Sequence, residues 1–221
     1  MPVALPADPT LDEIRAALAP LIADNAAFDG WTNEALMLAA EQAGFDQDIA
    51  RLAFADGAVA MIDAWFAHVD DAMTIAVPAV ALERMKVRAK ITALVEARLA
   101  VVADNREALR RALAVLAMPQ NIARAARLGW RTVDLIWRQA GDTATDYNHY
   151  TKRTILGAVY ASTITVFIND ESEDWADTRA FLARRIEGIM RFEKAKAGFV
   201  ARTENFPSLS RFIGRLRYPV V

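Results

Sequence analysis

Apolar residues spaced three and four apart run through nearly the whole chain, and no stretch keeps the strict alternation of a half-buried strand. Leu11, Ile14, Leu18, Leu21 and Ile22 set the pattern, with Asp12 and Glu13 in a first turn where the helix dipole favours acids. Phe28-Asp29-Gly30-Trp31 reads as a turn, and Thr32 as the N-cap of a helix over about 33–43 that stops at Gly44. Asp46 opens a short third helix through Ile49 and Leu52. A fourth follows the Asp56-Gly57 break, through Ile62, Trp65, Phe66 and Val69. Beyond Pro78 the pattern predicts a long helix over about 79–102, then one capped by Asp104 or Asn105 and ending near Met118-Pro119. Further helices are expected over about 120–139, 147–168 and 172–196, the last with Asp170 and Glu173 as a capping box. A short final helix spans about 207–217. About ten helices and no sheet are expected.

Only 9 glycines and 8 prolines interrupt 221 residues, so composition agrees with helix nearly everywhere. With 54% hydrophobic and 24% charged residues, the chain is not of the disordered class. It has no cysteine, which removes disulfides, thiolate metal sites and cysteine nucleophiles. No run approaches the roughly 18 apolar residues of a membrane span. The segment Met1 to Thr10 has neither the basic-then-apolar order of a secretory signal nor the arginine-rich character of a transit peptide. These features predict a protein of the bacterial cytoplasm.

Short helices ahead of long ones, with a glycine turn between the second and third, form a helix-turn-helix pattern in front of a bundle. That order resembles the tetracycline-repressor architecture. It divides the chain into a helix-turn-helix-like part over 1–77 and a bundle over 78–200, with a separate amphipathic segment over 206–218. Charge argues against DNA as the ligand. Residues 1–80 hold 13 acids against Arg15 and Arg51, a net −11, although the whole chain is only −2. A helix entering the major groove must approach phosphates, and here it would offer Asp46, Gln47, Asp48 and a single Arg51. No nucleic acid is expected as a partner.

No catalytic constellation emerges. Asp146 and His149 stand at i, i+3, but a di-iron bundle needs a second such pair and two further glutamates, and His68 has Trp65 three residues before it. Asp70-Asp71 and the acids of 171–174 are neighbours in sequence, and adjacent helical residues point in different directions. No phosphate-cradling glycine loop or nucleophile elbow is present. The chain is read as a non-enzyme without cofactor or metal.

The most distinctive stretch is Gly141-Asp142-Thr143-Ala144-Thr145-Asp146-Tyr147-Asn148-His149-Tyr150-Thr151-Lys152-Arg153. It resembles the signature of the ninth coenzyme Q protein family. The resemblance extends over roughly residues 10–200 through Phe28-Asp29-Gly30-Trp31, Trp130-Arg131 with Asp134 and Trp137, Asp177-Thr178, Phe181-Leu182 and Arg184-Arg185. It implies the repressor-like fold, a homodimer formed through the last long helices, and a lipid in the core. It also implies isoprenoid quinone intermediates as ligands and the di-iron demethoxyubiquinone hydroxylase as partner. His149 departs from the family, which usually has Trp there.

The partner-binding residues expected on this basis are Trp137, Asp142, Asp146, Asn148, His149, Tyr150 and Arg153. Two readings stay open for them, since Asp142 and Asp146 also suit N-caps and the aromatics also suit core packing. Met73, Met85, Met118 and Met190 could line an adaptable pocket, because methionine fits irregular shapes, and Met85, Met118 and Met190 are the lipid-pocket candidates. In the tail, Leu209, Phe212, Ile213 and Leu216 share one helical face and Arg211, Arg215 and Arg217 the other, with Phe206 leading in. Such a basic amphipathic helix fits a reversible membrane contact, or docking on its own domain. The resemblance favours the membrane, at the inner face of the bacterial inner membrane. The alternatives are a ligand-sensing repressor and a lipid-free scaffold.

Overall fold

In the computed structural model, residues 8–143 and 147–204 are described, with the side chains of all of these except 147–148, 190 and 192–204. The first helix, α1 (Leu11–Asp29), begins with a capping box. The Thr10 side chain accepts from the Glu13 amide, and the Glu13 carboxylate accepts from the Thr10 amide at 2.8 Å. It runs to Asp29 and closes within the expected turn at Gly30, whose φ of 74° no ordinary side chain adopts comfortably. Helix α2 (Asn33–Ala43) ends at the left-handed Gly44, and Asp46 caps α3 (Gln47–Ala53) through the amides of Asp48 and Ile49. Helix α4 (Ala58–Ala76) then crosses the molecule and packs against α1 and the bundle alike.

The predicted helix over 79–102 is two helices, α5 (Ala79–Glu83) and α6 (Val87–Val101). The reason lies in its periodicity. Leu82 and Ile91 are both buried, yet nine residues at 3.6 per turn would put them on opposite faces of one continuous helix. A break over 84–86 lets Leu82 enter the core while Ile91, Leu94, Val95, Arg98 and Leu99 share a second face.

Helix α7 (Arg106–Leu116) leads through a 3₁₀ turn into α8 (Ile122–Gln139), followed by α9 (Tyr147–Phe167) and α10 (Ala176–Glu204). The expected capping box at Asp170 and Glu173 does not form. Instead Asp170 accepts from the Ser172 amide at 2.9 Å and the Thr178 amide at 2.8 Å, so it caps α10 from across the loop. The chain reverses there through two consecutive left-handed residues, Asp174 (φ 50°) and Trp175 (φ 54°). Trp175 meets the buried Phe167 edge-on at 5.4 Å, a contact that helps offset a strain of about 1–3 kcal/mol per residue. Among the described residues there are ten α-helices and no strand, as the periodicity predicted.

One core extends from Ile14 to Ile186. Trp31 ties the turn after α1 to α7 and α4, donating to the Ala108 carbonyl at 3.0 Å and packing against the Trp65 ring at 5.3 Å. A cation also sits in this core. Arg98 donates to Asp70 at 3.0 Å and to Thr132 at 3.2 Å, with its guanidinium 5.4 Å from both the Phe66 and Tyr160 rings. Burial raises the pKa of the Asp70 carboxyl despite the opposing fields of Arg98 and Arg131. Its sequence neighbour Asp71 is exposed, so the two acids do not form a pair.

Candidate partner-binding site

Helices α8 and α9 meet at the 140–146 junction, and the side chains around it form two layers. The inner layer is ionic. Arg153 is only 2% exposed, and donates to Asp134 at 2.6 Å, to Asp142 at 3.1 Å and to the His149 carbonyl at 3.1 Å. Asp142 also accepts from Lys152 at 2.6 Å, and Asp134 pairs with Arg138 at 2.6 Å. Burial works to raise the Asp142 pKa, but the hydrogen bonds and charges of Lys152 and Arg153 outweigh it and hold it below the usual carboxylate range. Trp137 adds a strut: its indole donates to the Lys152 carbonyl at 3.1 Å, and the Lys152 ammonium lies 5.4 Å from its ring.

The outer layer is aromatic. The Trp130, His149 and Tyr150 rings form a closed triangle, with centroids 5.9 Å apart for Trp130–Tyr150, 6.2 Å for Trp130–His149 and 5.1 Å for His149–Tyr150. Tyr150 is 61% exposed and Trp130 37%. Large rings held in place on a surface lose little conformational freedom when a partner covers them, which makes them effective anchors. The inner layer fixes the outer one, because Arg153 grips the backbone that carries His149.

The expected site residues therefore divide. His149 and Tyr150 are on the ridge. Asp142 and Arg153 lie beneath it as its support, Arg153 being buried rather than presented at the surface, and Trp137 is half-buried. Asp146 lies outside the described residues, as does the side chain of Asn148. Trp130, Asp134 and Lys152 complete the arrangement without having been counted as site residues. Their signal was available, since Trp130, Asp134 and Trp137 fall at i, i+4, i+7 on one face of α8.

The methionine expectation is corrected. Met85 is 39% exposed and Met118 44%, so neither lines an enclosed space, while the side chain of Met190 lies outside the description. A helix break and a helix end put these two at the surface; among the described residues the buried methionines are Met61 and Met73, of which Met73 was expected inside. A cleft of about 900 Å³ opens elsewhere, between α1, α4 and α8, and no methionine lines it. Its walls carry Asp56, Asp63 and Arg131 over an alanine-rich floor. The tail residues Phe206, Leu209, Arg211, Phe212, Ile213, Arg215, Leu216 and Arg217 all lie outside the described residues.

Residues 122–193, which contain both layers, match the family model described as COQ9. The chain is 34% identical over 167 residues to the mitochondrial ubiquinone biosynthesis protein COQ9 of Rattus norvegicus, covering 73% of this chain and 54% of the relative. The chain is thus similar to the COQ9 family. Human COQ9 is 32% identical over 73% of this chain and 52% of its own length. The Drosophila melanogaster COQ9 protein is 26% identical over 83% and 57% respectively. The chain thus spans about half the length of the curated COQ9 relatives it matches. All three are named as mitochondrial proteins, which overturns the expectation of a bacterial cytoplasmic location at the inner membrane. A TetR transcriptional regulator from Nitrosomonas europaea shares the fold, with a TM-score of 0.63 over 79% of this chain and 96% of that one, at 24% identity. The fold of this chain is accordingly TetR-like and all-α.

Proposed function

We propose that this chain is a non-catalytic, lipid-binding protein of ubiquinone biosynthesis. It binds an isoprenoid quinone intermediate at a membrane and presents it to the demethoxyubiquinone hydroxylase. The observation that carries this reading is the Trp130–His149–Tyr150 ridge on its buried ionic support, within the stretch that matches the COQ9 family. The hydroxylase docks on that ridge. Two copies of the chain associate through the last long helices, and residues 206–218 contact the bilayer through the face bearing Leu209, Phe212, Ile213 and Leu216. Among the described residues no single helix is long and apolar enough to cross a membrane.

The repressor alternative finds no support at α3. Its one basic side chain, Arg51, is tied to Asp48 at 2.7 Å, which leaves still less charge for phosphate.

Mass spectrometry of lipid extracted from freshly purified protein tests the ligand. Enrichment of isoprenoid quinones or their precursors over bulk phospholipid is expected. Phospholipid alone removes the quinone part of the proposal, and an empty protein leaves a scaffold in its place.

A further inference from the structure

The α5–α6 break does more than bury Leu82. From the end of α4 to the start of α6 the chain presents Ile75 80% exposed, Val80 75%, Val87 52% and Met85 39%, four large apolar side chains within and on either side of that break. Four cations are interleaved with them. Arg84, Lys86 and Arg88 are exposed, Lys90 is half-buried, and Glu83 is the only acid between Val77 and Thr92. None of the four makes an ion pair among the described residues, whereas Arg15, Arg51, Arg110, Arg111, Arg131 and Arg138 do. Unpaired cations beside exposed aliphatics combine the two attractions of an interfacial membrane site. Apolar tips enter the acyl boundary while the charges stay among anionic headgroups.

The turn's surroundings fix its direction. Thr74, just before it, accepts from Gln139 at the end of α8, and the Lys90 ammonium lies 3.8 Å from where a side chain on Gly141 would begin. The turn therefore flanks the α8–α9 junction and shares an end of the molecule with the ridge's ionic support. The acids of α1 to α3 lie in other elements, and the same anionic headgroups repel them.

We infer that the 75–90 turn is a second membrane contact, docking on an anionic bilayer surface and setting the ridge beside the headgroups. The inference rests on the membrane-associated reading above but not on the tail, because every residue it uses lies outside 206–218.

Vesicle flotation with the full chain tests it, comparing phosphatidylcholine vesicles with ones containing cardiolipin or phosphatidylserine. The variants are Ile75→Ser with Val80→Ser, Lys86→Ala with Arg88→Ala, and Phe212→Ser with Leu216→Ser in the tail. All the turn substitutions are at exposed positions, and a circular-dichroism melt confirms folding. Each turn pair is expected to weaken binding to anionic vesicles by about tenfold or more. Loss in the cationic pair should vanish on neutral vesicles and shrink with added salt. Wild-type affinity in both turn pairs overturns the inference, even where the tail pair loses binding and the tail contact stands. Wild-type affinity in the tail pair alone removes the tail contact and leaves the turn. Wild-type protein that floats with neither vesicle type overturns both.

Discussion

Replacing Arg153 by Met removes the charge from beneath the ridge while keeping most of the side chain's volume. Arg153 is 2% exposed, with Asp134 and Asp142 close around its guanidinium at 2.6 and 3.1 Å. Taking one partner from a buried pair costs about 3–5 kcal/mol, chiefly because uncompensated charge is left behind. Both carboxylates keep another cation here, Arg138 for Asp134 and Lys152 for Asp142, each at 2.6 Å, so the lower end of that range applies. At about 2–4 °C per kcal/mol for a chain of this size, the expected fall in Tm is roughly 6–12 °C. Circular dichroism at 222 nm reads it directly. The triple variant Arg153→Met, Asp134→Asn, Asp142→Asn separates charge from packing, because neutral amides are left instead of orphaned carboxylates. It should recover at least half of the loss. A shift below about 2 °C for the single variant, or a triple variant no more stable than the single, would refute the view that buried charge holds this junction together.

Tyr150→Ala is expected to leave the melt within about 1 °C of wild type, since the ring is 61% exposed, and to weaken hydroxylase binding at least tenfold in calorimetry. Asp170→Asn should be destabilising by about 2–3 kcal/mol at neutral pH, through weakened hydrogen bonds to Ser172 and Thr178. Burial works to raise the Asp170 pKa, but those hydrogen bonds hold it far below the ordinary value. Its stabilisation is thus complete above the unfolded pKa of about 4 and is lost as pH falls through the folded one. The gap between wild type and Asp170→Asn in pH-dependent melts should accordingly narrow below about pH 4. A gap independent of pH would exclude the ionised carboxylate as its source. Trp31→Phe removes the donor to Ala108 and part of the packing against Trp65, and denaturant unfolding should show a loss of about 1–2 kcal/mol without a change of m-value.

Most helices could be placed from periodicity because each buries a single stripe, and the caps at Thr32 and Asp46 act locally as their residue types require. The α5–α6 break was illegible for the complementary reason. Both halves are apolar at helical spacing, and only the need to bury Leu82 and Ile91 together separates them. Asp170 misled because a carboxylate near a helix start signals a local cap, whereas this one reaches across a loop to Thr178. The ridge was half legible. His149 and Tyr150 stand in the distinctive stretch, but Trp130 reaches them from α8 through a tertiary contact that spacing alone does not reveal. Arg153 read as a surface anchor because arginine is so often one. Its burial depends on two aspartates, 19 and 11 residues earlier, converging on it. The methionines show the reverse error, since a flexible apolar residue at a helix end packs as readily outside as in.

The two-layer junction bears on how such a surface changes over time. The rings proposed to meet a partner are not the residues that keep the helices in register, so a ring can be exchanged with little penalty to folding. At position 149 the histidine ring stands against Trp130 and Tyr150, and another planar ring there would keep the same support beneath it. Arg153, Asp134 and Asp142 have less latitude, since changing any one takes a buried partner from the others even where a second counter-ion remains. Variation is thereby channelled outward, and a docking preference can drift between lineages while the scaffold beneath it stays the same.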